Sequence, residues 1–177
     1  CDLEILKYTG GKLHLPNIST EAGLEMIRKA KNQGLHISCS VGLPHLIFDD
    51  TELEHFDTHF KIFPPIRSKT DQQALRAGLL DGSIDMISSM HEPMNIEFKK
   101  LEFENAAPGS LGLESCFGML NKVFPLDKVL IFLTRGAKYF GIPTPNINVG
   151  ELADLTLFDP EKSYRFAEND LKSTSKN

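Results

Sequence analysis

The chain has 177 residues, with 19 basic against 24 acidic side chains and a formal net charge of -5 at pH 7. That length fits one domain of ordinary size. The lack of a basic excess argues against a nucleic-acid binder, whose phosphate affinity needs clustered Lys and Arg. No apolar run reaches the roughly 18–20 residues that span a bilayer. Cys1-Asp2-Leu3-Glu4 has neither the basic start nor the apolar core of a signal peptide. A cytoplasmic protein with no membrane and no nucleic-acid partner is expected.

The chain opens without Met in helix-like sequence, and both ends read as cut. Lys12 to Leu15 predicts a strand ending at Pro16-Asn17. Ser19-Thr20-Glu21 then supplies a capping hydroxyl and an acid suited to the helix dipole. Leu24, Ile27, Ala30 and Lys31 follow helical spacing up to Gly34, a natural left-handed stop. His36 to Val41 is the second strand and Thr51 to Phe56 a short helical turn. Phe60 to Arg67 crosses Pro64-Pro65, which favours extended backbone. Thr70-Asp71 reads as the cap of a helix carrying Ala74, Leu75, Leu79 and Leu80, and Ile84 to Ser89 is the third strand. After a long segment, Met90 to Gly112, two helices fit Leu113–Asn121 and Leu126–Tyr139. Ile147–Gly150 and Leu155–Phe158 read as short strands around a tight turn.

Strand–helix–strand alternation predicts parallel strands joined by crossovers. Three strong strands are too few for a closed eight-stranded barrel, which takes about 250 residues. The expected boundary is Gly141-Ile142-Pro143-Thr144-Pro145, giving an α/β part over 1–141 and a final β part over 142–177. Cys1, Cys39 and Cys116 have no zinc-knuckle spacing and are expected as small buried side chains in a reducing compartment. His55 and His59 have the spacing of a helical zinc pair, but lack the central Glu and sit where the helix ends, so surface histidines are expected. His14, at a strand end, reads as a packed histidine. Neither a G-x-S-x-G elbow nor a phosphate loop is present. Gly109 to Gly112 is a turn whose amides can face an anion.

Six ordered segments carry a family resemblance. Leu13-His14-Leu15-Pro16-Asn17-Ile18-Ser19-Thr20 resembles H-x-x-H-V-S-T, and Ser38 to Leu46 resembles T-C-E-V-T-P-H-H-L. Asp57 to Arg67 is similar to D-T-N-F-K-V-N-P-P-L-R, and Gly82 to Met94 to G-T-I-D-A-I-A-T-D-H-A-P-H. Phe103 to Glu114 resembles F-x-x-A-P-x-G-I-x-G-L-E, and Val149 to Pro160 resembles a return into a small β domain. Together they identify the chain as similar to the second half of a dihydroorotase, of the amidohydrolase superfamily.

The resemblance implies the last three strands of a (β/α)₈ TIM-type barrel leading into a small β-sandwich-like domain, with the first metal ligands upstream of Cys1. It also implies pyrimidine biosynthesis: interconversion of carbamoyl aspartate and dihydroorotate at a zinc centre that activates water. The family's catalytic Asp aligns with Met90 and its second single-His metal ligand with Asn17. Phe63 and Met94 stand at substrate-binding positions that are polar in the family. Pro108 and Gly109, whose backbone resembles the family's contact to the pyrimidine ring, are kept. Scaffold residues such as Asp85, Gly112 and Glu114 survive. The expectation is a degenerate homologue with weak or no zinc, acting as a partner subunit; the alternative is an active cyclic amidohydrolase with an altered metal site. Expected partners are the missing upstream half of the barrel, a second copy, or a pathway enzyme such as aspartate transcarbamoylase. Rescue by His91 is disfavoured because neighbours on a strand face opposite ways unless the strand end bends. Rescue by His14 is disfavoured because it lies three residues from Asn17 and so faces away on an extended strand.

Overall fold

A computed structural model describes residues 1–144 and 146–177. Pro145, the second proline of the expected boundary, lies outside the described residues. The order is α1 (Asp2–Thr9), β1 (Leu13–Leu15), α2 (Glu21–Asn32), β2 (Ile37–Gly42), α3 (Leu43–Ile47), α4 (Lys69–Leu80), β3 (Met86–Ser88), α5 (Cys116–Val123) and α6 (Leu126–Thr134). The strands form a parallel sheet in the order β1-β2-β3, with Leu13 opposite Ile37 and Ser40 opposite Met86.

Strand register and pleat sort the side chains onto two faces. Leu13, Leu15, Ile37, Cys39, Val41 and Ile87 share the helix side, and all belong to or pack against one core. That core takes Leu24 and Ile27 from α2, Leu75 and Leu79 from α4, and Leu120, Val129 and Phe132 from α5 and α6. Each fully buried Leu or Ile contributes about 1.5–3 kcal/mol, so this layer dominates the stability. The opposite face carries His14, Ser38, Ser40, Met86 and Ser88.

Hydroxyl caps start α2 and α4. Thr20 Oγ1 accepts from Gly23 N at 3.1 Å, as its sequence position predicts. For α4 the cap is Ser68, two residues before Thr70, because its Oγ accepts from the Asp71 amide at 3.3 Å. The turn expected over Thr51 to Phe56 is a 3₁₀ turn over Asp50–Leu53, and α3 was not expected. The helix expected from Leu126 to Tyr139 is α only to Thr134 and 3₁₀ over Arg135–Phe140. There Gly136 passes so close to Met86 that a Cβ would lie 3.3 Å from the Met86 Cβ.

At the N-terminal end of the strands, Asp85 is 5% exposed and fully engaged. It accepts from Lys31 Nζ at 2.7 Å, the Cys39 amide at 2.8 Å and Tyr139 Oη at 2.6 Å. One carboxylate thus ties α2, β2 and the turn after α6 to the start of β3. Burial first, and then the Asp85 bond, push the Tyr139 phenol up to about 12. Burial, with Asp85 nearby, pushes the Cys39 thiol up to about 11, so it stays an inert thiol. Cys116 is buried as expected, whereas Cys1 precedes α1 at the surface and is exposed.

The strands expected at Ile147–Gly150 and Leu155–Phe158 are absent among the described residues, where the segment carries a 3₁₀ turn at Glu168–Asp170. Ile147, Val149, Leu152 and Leu157 are all more than four-fifths exposed. A lone two-stranded piece with nothing to cover its apolar side is marginal in water, which accounts for the difference.

Candidate functional site

Among the described residues, two of the three non-glycine residues with left-handed backbone are Asn17 (φ 51) and Met90 (φ 50). Each lies two residues past the end of a strand, on either side of β2 in the sheet order. Asn tolerates this conformation through its short polar side chain, whereas a long residue such as Met adopts it rarely. Strain of this kind is of order 1–3 kcal/mol and gathers at functional sites.

Local bonds hold both turns. The Asn17 amide donates to Ser40 Oγ at 3.2 Å and the Ile18 amide to Ser40 O at 2.9 Å, so β2 fixes the segment after β1. The Met90 amide donates to Ser88 Oγ at 3.2 Å. Gly112 presses on the residue before Met90: a Cβ there would lie 1.9 Å from Ser89 O, which restricts the position to glycine.

Met90 is 5% exposed and packs with Ile62 and Ile66, against Phe48 and Phe60. Its sulfur fills the space beside Gly42, where a Cβ would lie 2.0 Å from Met90 Sδ and 2.8 Å from His45 Nδ1. His45 is 2% exposed, and its Nε2 lies 3.0 Å from Pro64 O, which makes that nitrogen the protonated one and leaves Nδ1 with a lone pair and no partner. Burial holds its pKa below the usual histidine value, so it is neutral at pH 7. Asn17 Oδ1 and His91 Nδ1 are likewise buried without a protein partner.

A second group forms beside the first. A Cβ on Gly109 (φ 139) would lie 2.4 Å from Met94 Cε, so Met94 is seated on the buried Gly109, while Pro108 is exposed. The Gly109 amide donates to Lys61 O at 2.9 Å and the Glu92 amide to Ser110 O at 2.8 Å, which joins the 92–94 and 108–112 loops into one wall. Phe63 is 73% exposed and stands apart from the Met90 cluster, to which its neighbours Ile62 and Ile66 belong. An apolar cavity of about 200 Å³ lies between α3 and these loops, lined by Leu43, Phe48, Phe60, Ile62, Leu111 and Asn177 among others.

His14 Nδ1 lies 2.9 Å from Ser38 Oγ and its ring meets Phe140 edge-on at 5.6 Å, a packed histidine as its position predicts. His59 is exposed and paired with Asp57, and His55 is exposed. For His91 the strand end does bend. Alternation of faces holds for extended backbone, and Met90 is left-handed; His91 instead forms an isolated parallel bridge with Ser110.

In chemical terms the strand ends offer a thioether, an amide oxygen and a neutral imidazole, and among the described residues no three His, Cys, Asp or Glu side chains gather as a metal-holding group. A hard or borderline divalent ion needs carboxylate or imidazole donors here. Met90 offers an uncharged soft sulfur already enclosed by Phe and Ile, which is not a donor of that kind.

Over 184 residues, the chain is 38% identical to the dihydroorotase of Carboxydothermus hydrogenoformans. Over 185 residues, it is 37% identical to that of Lactobacillus johnsonii. Each match takes in 99% of this chain. The chain belongs to the dihydroorotase family. It spans 43% and 44% of the length of those two relatives. No family model matches it. Among solved structures it resembles the L-hydantoinase of Arthrobacter aurescens, with a TM-score of 0.73 and 28% identity over 79% of this chain and 33% of that one. The Saccharomyces cerevisiae dihydroorotase, solved with 5-fluoroorotic acid, shares the fold at a TM-score of 0.66 and 15% identity, over 75% of this chain and 39% of that one. The three parallel strands are therefore the C-terminal part of an amidohydrolase (β/α)₈ barrel. Asn17 and Met90 lie at the C-terminal ends of its strands, the face on which barrels of this kind carry their sites. The sequence motifs located these positions; they did not reveal that Gly42, His45 and Met90 share one pocket, since that follows from contacts across the sheet.

Proposed function

We propose that the chain is part of a dihydroorotase-like protein of pyrimidine biosynthesis whose strand-end site no longer supports carbamoyl aspartate–dihydroorotate chemistry, and which acts as a non-catalytic homologue or partner subunit. The observation that carries this reading is Met90: at the strand end where the family's proton-carrying carboxylate aligns, an apolar side chain is sealed by Ile62, Ile66, Phe48 and Phe60. A thioether accepts no proton at neutral pH and neutralises no cation. Met94, packed on Gly109, and the exposed Phe63 leave a substrate carboxylate without a charged or hydrogen-bonding partner at those positions. The partners proposed are the rest of the barrel, added at β1, which pairs on one edge with β2, and a second copy or a pathway enzyme such as aspartate transcarbamoylase.

A second reading, an active cyclic amidohydrolase with an altered metal site, draws on three of the buried polar atoms without partners, Asn17 Oδ1, His45 Nδ1 and His91 Nδ1. Calorimetry with dihydroorotate separates the two. The degenerate site gives no heat of binding at millimolar ligand; micromolar affinity supports the second reading and overturns the first.

A further inference from the structure

Residues 171–177 are joined to the loop after β3 by side chains more than fifty positions apart in sequence. Asn177 is 7% exposed and uses both ends of its amide: Oδ1 accepts from the Met94 amide at 3.0 Å, and Nδ2 donates to Glu92 O at 3.0 Å. At the other end of the segment, the Glu114 carboxylate accepts from two successive amides, Lys172 N at 2.8 Å and Ser173 N at 2.9 Å. These bonds hold the Glu114 carboxyl below the usual carboxylate range. Between the two anchors the segment folds on itself, with Lys176 Nζ donating to Leu171 O at 3.1 Å and Ser175 N to Ser173 Oγ at 3.3 Å.

We propose that residues 171–177 are a strap that fixes the wall of the barrel mouth, with Asn177 as its positioning residue and Glu114 as its anchor. The chemistry is specific to an amide side chain. Glu92 O and Met94 N–H present one acceptor and one donor two residues apart, and a side-chain amide supplies the matching donor and acceptor. An Asp side chain would oppose Glu92 O with a second acceptor, and Ala would leave both groups unmatched. Because the Glu92 amide is also bonded to Ser110 O, and Met94 is seated on Gly109, fixing 92–94 also fixes 108–112. Asn177 lines the cavity beside that wall as well. That this wall belongs to a substrate mouth rests on the proposed function above; the strap itself does not.

Amide hydrogen exchange of the full chain tests it without metal or substrate, so its outcome is independent of whether the site binds either. Asn177→Ala is expected to speed exchange at Met94 by roughly ten-fold while Cys39 and Val41 in β2 stay protected. Added acetamide, a free side-chain amide, is expected to slow Met94 exchange again in that variant. Glu114→Ala is expected to free Lys172, Ser173 and then Met94, which provides a second route if the first variant folds poorly. Unchanged Met94 protection in both variants overturns the strap. Faster exchange spread evenly over the sheet also overturns it, since that marks general destabilisation.

Discussion

The two ends of the same three strands differ in what organises them, although Arg135 Nε near Asp85 is also without a partner. At the N-terminal end Asp85 is buried with three partners between 2.6 and 2.8 Å. At the C-terminal end Asn17 and Met90 are left-handed, and Asn17, His45 and His91 each leave a buried polar atom unmatched. Natural chains tolerate broken local rules where function sits and satisfy them elsewhere. Here the departures sit around Met90, the residue on which the proposed loss of chemistry rests. Gly112 is fitted to the Ser89 backbone whatever side chain follows, whereas Gly42 is fitted to the Met90 and His45 side chains.

The largest effect is expected at the satisfied end. Asp85→Ala strips the Lys31 ammonium of its carboxylate and the Cys39 amide of its acceptor, and removing one partner of a buried pair costs about 3–5 kcal/mol. Chemical denaturation is expected to show that loss; a change below about 1 kcal/mol would break the contrast between the ends.

Next comes Met90→Asp. Alone, it buries a carboxylate among Ile62, Ile66, Phe48 and Phe60 and is expected to destabilise by several kcal/mol. Combined with Asn17→His, Phe63→Asn and Met94→His, in a protein with the upstream ligands present, it is expected to take up zinc, since ligand sets act as a unit. If the fourfold variant folds without binding zinc, the strand ends no longer hold the family geometry.

The third test is pH. Burial lowers the His45 pKa below 6.5 in the folded chain, so between that lowered value and 6.5 the unfolded state binds more protons. The His45 contribution is full above about pH 6.5 and is lost as pH falls through the folded value. The His14 pKa is lowered too, by burial against an opposing pull from Asp85. Thermal melts of His45→Gln are expected to vary less across this window than those of the unchanged chain; parallel curves would show that His45 is not the sensor.

How much of this was legible in the sequence differs by region. Periodicity located β1–β3, α2 and α4, and ordered motifs identified the family, because apolar spacing and turn residues are local signals. Ser68 as a cap and the break at Gly136 were missed: the first competes with Thr70 and Asp71 nearby, and the second depends on contact with Met86. The strands expected after Ile147 were read from alternation, which signals a strand only where another strand or helix covers its apolar side. At the site, the positions of Asn17 and Met90 were legible; their left-handed backbone, the unpartnered His45 nitrogen and the Glu114 and Asn177 contacts are long-range and were not.

The smallest effect is expected at Asn17. Glycine suits φ 51 and removes the unmatched Oδ1, while its freer unfolded chain offsets the gain, so Asn17→Gly is expected to change stability by no more than about 0.5 kcal/mol. A loss above about 2 kcal/mol would mean that the Asn17 side chain has a partner or ligand that supports the fold.

The most direct test of the central claim, a kept scaffold around an emptied site, is elemental analysis of the purified protein that carries this chain. On the proposed reading, in which Asn17 and Met90 stand in place of ligands, it is expected to hold well under one zinc per chain. About two zincs per chain, retained through mild chelation, would contradict the account.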